Sequence, residues 1–142
     1  MVDFSSLLKK PAGEAKKPRA LPAADYPGII KSFEYGDNNQ NQPPYVRFGL
    51  GVTGPAPSVD SAEFTDIDLS KRQLRRDFYL TDDAFWRLDE FLRNIGLDPK
   101  GRSYEEVIPE AVGTPVTLEV QQYLNQTSNE IGNQVGKVGA AQ

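Results

Sequence analysis

Tyr45 and Arg47 stand two residues apart, and Arg75 and Tyr79 four apart, with Lys71 and Arg72 just upstream. Alternate residues of an extended strand share a face, so each spacing sets a ring beside a guanidinium. Rings that stack on bases and cations that follow phosphates are the contacts that hold single-stranded nucleic acid without regard to sequence. Stacking contributes about 1–3 kcal/mol per base, enough for two or three rings to offset an unhelpful net charge. Lys31 and Tyr123 extend the same set on other strands. The plainer alternative makes the tyrosines half-buried sheet residues and pairs the arginines with acids such as Asp77. Taken as a group, these residues favour binding.

Other chemistries find little support. The chain has no cysteine and no histidine, so disulfides, thiolate or imidazole metal sites and imidazole acid–base catalysis are excluded. No G-x-S-x-G or S-x-x-K frame offers a nucleophile, and no phosphate-binding glycine loop occurs. Asp60, Glu63, Asp66 and Asp68 gather carboxylates, which two-metal nucleases use, but in a polar loop where such runs are usually solvated. We therefore expect no catalytic residue, no metal and no cofactor. No apolar run approaches the length of a membrane span, and the first 18 residues lack the apolar stretch of a signal peptide. The expectation is a soluble, cytoplasmic protein with no membrane partner.

The elements that must position these residues follow from periodicity. Tyr26–Tyr35 reads as a first strand, with Ile29, Lys31, Phe33 and Tyr35 on one face and Ile30 and Ser32 on the other. Tyr45–Thr53 is the cleanest strand: Val46, Phe48, Leu50 and Val52 point inward, and Gly49 and Gly51 leave bare backbone outside. Leu74, Phe78 and Leu80 give a third strand one apolar face; Arg76 shares their parity, which implies a bulge or a barrel end. Thr81 is then an N-cap, with Asp82 and Asp83 in the first turn. Phe85, Leu88, Phe91, Leu92 and Ile95 recur at helical spacing, and Gly96 stands at the C-cap position. Tyr104–Ile108 suits one helical turn. Pro115–Tyr123 and Glu130–Val138 complete five strands, the last with Ile131 and Val135 inward, joined by a hairpin loop at residues 124–129.

Charge divides the chain. The net charge is −4, yet residues 1–24 carry five basic residues against Asp3 and Glu14, a net +3, which leaves −7 on the rest. A basic arm on an acidic body suits a polyanion binder, whereas the acidic body opposes a purely electrostatic grip. We expect a flexible basic arm over residues 1–24, a folded domain over 25–139 and a frayed end over 140–142. Phe4, Leu7 and Leu8 on a short helical turn of the arm offer a docking motif for a partner protein.

Three strands, a helix and two strands is the order of an OB-fold, a five-stranded barrel with one α-helix between strands three and four. An SH3-like barrel has no place for that helix. The segments Leu21–Ile30, Pro44–Phe48, Asp77–Thr81 and Leu88–Leu97 resemble small bacteriophage OB-fold proteins that bind single-stranded DNA. That resemblance implies a phage-encoded accessory of replication or recombination, working in the host cytoplasm. It would coat single strands and meet replication or recombination proteins. Single-stranded RNA as ligand, and assembly into a homo-oligomer, stay open. Many such proteins recruit partners through an acidic tail, but this chain ends Lys137-Val-Gly-Ala-Ala-Gln. The competing expectation is a phage structural or adaptor protein that uses the barrel as scaffold and docks through the arm.

Overall fold

The computed structural model describes residues 4–9, 19–37 and 43–141, apart from the side chains of residues 6 and 7. Alternating apolar residues build five strands: β1 (Ala24–Gly36), β2 (Tyr45–Val52), β3 (Gln73–Tyr79), β4 (Pro115–Asn125) and β5 (Glu130–Ala140). All neighbours are antiparallel, in the spatial order β3-β2-β1-β4-β5. The expected closed barrel is corrected here, because the sheet does not close. β3 and β5 approach one another but each is hydrogen-bonded to one neighbour only.

Helix α2 (Phe85–Asn94) packs against both of these edge strands. Its Leu88, Phe91 and Leu92 are buried, and the Phe91 ring centre lies 4.8 Å from both Phe48 of β2 and Phe78 of β3. The helix stops in a Schellman turn. Gly96 takes φ +98°, Leu97 N–H donates to Leu92 O at 2.9 Å and Gly96 N–H to Arg93 O at 3.1 Å. Its start differs from expectation. Thr81 does not cap with its side chain; its carbonyl accepts from Ala84 and Phe85 N–H, so Asp82 and Asp83 lie in a turn before the helix. A second short helix, α3 (Tyr104–Val107), also precedes β4, so the segment holds two helices rather than one. Ser103 caps α3 through Glu106 N–H, and Tyr104 stacks on Phe85 at 4.9 Å.

Two bulges change which residues face the core. β2 obeys strict alternation, with Val46, Phe48, Leu50 and Val52 all buried. In β1 the register slips by one residue between Ile30 and Ser32, so Lys31 has no partner of its own on β2. The slip mixes the two expected faces: Ile30 is buried, Ser32 turns outward opposite Gly49, and Phe33 and Tyr35 fall opposite core residues Phe48 and Val46. In β5, Gly136 and Lys137 stand against Glu119 alone. Ile131 keeps the parity of Val135, but it sits beyond the core at the hairpin tip and is 58% exposed.

The folded part begins earlier than composition suggests. Leu21 is fully buried; its N–H donates to Asn133 Oδ1 at 2.8 Å, and its carbonyl accepts from Gln122 and Asn133. Arg19 reaches Asp66 at 3.0 Å, and Tyr26, itself buried, donates its hydroxyl to Pro22 O at 2.6 Å. Residues 19–23 are therefore tied to the body, and only the earlier part of the arm remains for the role expected of it. Before them, Phe4–Leu8 forms a single short helix, α1. No helix among the described residues is long and apolar enough to cross a membrane.

Because Leu21 closes one end of the core, Leu21→Ala should cost about 2–5 kcal/mol in denaturant melts. The exposed Leu8→Ala should leave the midpoint unchanged. An unchanged midpoint for Leu21→Ala would return the boundary to residue 24.

Candidate nucleic-acid interface

Registration of β2 on β3 decides which expected residues meet. Tyr45 is the direct cross-strand partner of Tyr79, Arg47 of Asp77, and Gly49 of Arg75. All six belong to the face turned away from the core, since their neighbours Val46, Phe48 and Phe78 are buried. Lys31, lifted out at the β1 bulge, reaches across Gly51 on the same face. The sheet thus brings Lys31, Tyr45, Arg47, Arg75 and Tyr79 onto one surface.

The members of this surface are not equally free. Arg47 donates to both carboxylate oxygens of Asp77, at 2.9 and 3.1 Å, and approaches Glu34 at 3.7 Å. Its hydrogen bond to Asp77 holds the guanidinium pKa above its ordinary value. The same guanidinium lies 5.0 Å from the Tyr45 ring centre. The Tyr45 ring in turn covers Gly36 on β1, leaving no room for a Cβ there. Tyr45 is therefore half-buried between a glycine and an arginine, partly as the plainer alternative requires. Tyr79 is the more open ring, 43% exposed. Lys31 and Arg75 have no ion pair among the described residues. The backbone at Gly49 and Gly51, expected to be bare, is overlaid by Ser32 and Lys31 side chains.

Three expected residues lie elsewhere. Lys71, in a 3-10 turn before β3, approaches Asp68 at 3.9 Å. Arg72 is half-buried and donates to the carbonyl of Arg19. Tyr123 belongs to β4, where its ring lies across Gly132 of β5. Arg72 and Tyr123 meet instead in a groove between β3 and the β4–β5 hairpin, with Gln73, Leu74 and Ile131 along its walls. Of the docking residues on α1, Phe4 and Leu8 are 69% and 80% exposed, while the Leu7 side chain lies outside the described residues. Lys10, Lys16, Lys17 and most of the loop between β1 and β2 also lie outside them.

The acidic loop is spent on structure. Asp60 and Asp68 accept backbone N–H groups at the starts of two 3-10 turns, and Glu63 and Asp66 pair with Arg19. The hydrogen bond from Arg19 holds the Asp66 carboxyl below the ordinary carboxylate range.

Sequence reasoning passed over Trp86, Arg87 and Lys137 as site residues and read Arg76 only as a sign of a bulge or a barrel end. Trp86 is 59% exposed on the outer side of α2, with the Arg87 guanidinium 5.2 Å from its ring centre. The signal was present, because Trp86 falls outside the three- and four-residue spacing of the buried helix residues. Arg76 has the inward parity, yet it runs its stem along Phe78 (5.2 Å from ring centre to guanidinium) and reaches out where no further strand covers β3. No protein-family model matches this chain, and no curated protein matches it.

Proposed function

We propose that this chain is a non-enzymatic single-stranded DNA-binding protein of the OB type, of the kind bacteriophages encode for replication or recombination. The sheet order supports the fold. An OB-fold is a five-stranded, partly open barrel whose ligands lie over strands two and three and against the loops joining strands one to two and four to five. Tyr45, Arg47, Arg75 and Tyr79 stand on β2 and β3, and Tyr123 stands beside the β4–β5 loop. The observation that carries the proposal is the cross-strand pair Tyr45–Tyr79 on an exterior face that also presents Lys31 and Arg75, neither of them ion-paired among the described residues. Bases stack on the open Tyr79 ring, and the two cations meet phosphates. Stacking on rings tolerates any base, so sequence preference is weak.

Titration of fluorescein-labelled oligo-dT, read by anisotropy at about 50 and about 200 mM salt, tests this; affinity should fall with salt. Absence of binding at the lower salt rejects the proposal. Tyr79→Ala should weaken binding by about 1–3 kcal/mol with little change in melting temperature. Tyr45→Ala should weaken binding and lower the melting temperature as well, because its ring covers Gly36.

Asp77 neutralises Arg47 on the binding face, so Asp77→Asn frees a guanidinium and removes a carboxylate. Affinity for oligo-dT should rise by about 1 kcal/mol, roughly fivefold, at low salt. A fall would show that the ion pair holds Arg47 in its binding position.

A further inference from the structure

Three clefts, each sharing lining residues with the next, follow the gap between β3 and β5 as a trough. One groove lies between β3 and the β4–β5 hairpin, and its lower part is lined by Arg75, Arg76 and Asp77 of β3 against Gln134 and Val135 of β5. Arg76 also lines the next cleft, where Trp86 and Arg87 of α2 face Lys137 of β5. Tyr123 stands towards one end of this path and Trp86 towards the other.

Charge along the trough is lopsided. Among the described residues, none of Arg75, Arg76, Arg87 and Lys137 has an ion-pair partner. Of the acids lining these clefts, Asp77 already holds Arg47 and Glu130, at the hairpin end, has an interaction of its own, while Glu90 lines the cleft beside α2. The β5 bulge places Gly136 and Lys137 against a single β4 residue, so an exposed lysine comes to the rim at the point where the strand bends. An acidic chain that leaves this many cations unpaired along one groove, with an exposed ring at either end, presents a path for a flexible polyanion whose bases can stack.

We propose that the strand bound on the β2–β3 face continues through this trough and ends against Trp86, with Arg76, Arg87 and Lys137 on its phosphates. The trough is thus a second segment of one binding path, reached only by longer ligands. This inference rests on the single-stranded DNA-binding reading above.

Trp86 is the only tryptophan, so emission excited selectively from tryptophan reports on this cleft alone. The full chain is titrated with labelled oligo-dT of about twenty nucleotides, well above the roughly 4–16 that one such domain covers. Anisotropy and tryptophan emission are followed together. The expected result is saturable quenching that tracks the anisotropy. The double variant Arg87→Gln/Lys137→Gln should bind about five- to tenfold more weakly and lose more than one unit of salt slope, at about 0.7 per phosphate contact. Tyr79→Ala should still quench Trp86 at saturation. Rising anisotropy with flat tryptophan emission overturns the inference and leaves the proposed function standing. Quenching with affinity and salt slope unchanged in the double variant also overturns it. A flat anisotropy overturns the proposed function itself.

Discussion

The contact on which the rest depends is Phe91 of α2 lodged against Phe48 of β2 and Phe78 of β3. A sheet whose two edges do not pair must have its interior sealed by something else, or buried apolar surface would meet water. Here a helix supplies the seal, and the three rings form a cluster in which each pair adds about 0.5–1.5 kcal/mol beyond the area it buries. The seal explains why β3 and β5 can stay apart without unravelling the core. It also explains why Arg76, at an inward position, is not a buried charge: beside Phe78 there is a gap rather than a neighbouring strand.

Charges are sorted by region more than by count. Acids dominate the chain, but many are spent locally. Asp60 and Asp68 cap turns, Glu63 and Asp66 hold the incoming Arg19, Asp89 pairs with Arg93, and Glu106 and Glu110 pair with Arg102. Among the described residues, Lys31 and Arg75 on the exterior of β1–β3, and Arg76, Arg87 and Lys137 along the gap beside β5, have no ion pair. The formal charge of −4 therefore says little about the field a ligand would meet at that surface.

Much of the fold was legible wherever one period held. Strand β2 alternated without interruption, and the helix ended at a glycine with positive φ, as its spacing required. What escaped were features that depend on two strands at once. A single extra residue at Lys31 inverted the facing of half of β1, and alternation within one strand carries no sign of such a slip. The anchoring of Leu21 rests on Asn133, 112 residues away, so composition assigned it to the arm. Closure failed for a similar reason, since strand count does not say whether the edges pair. At the site, the outward facing of Tyr45, Arg47, Arg75 and Tyr79 was legible and Asp77 stood as a candidate partner for the arginines, but the pairings Tyr45–Tyr79 and Arg47–Asp77 and the approach of Glu34 depended on register. Trp86 was overlooked because a helix was read for the residues it buries.

An open sheet also carries a hazard. Two strand edges with unsatisfied N–H and C=O groups lie near each other, and such edges invite pairing with another molecule. Bulky cationic side chains beside them, above all Arg75 on β3 and Lys137 on β5, repel an incoming copy by charge and keep its backbone at a distance. Without those side chains the two edges would carry less charge to oppose pairing with another copy.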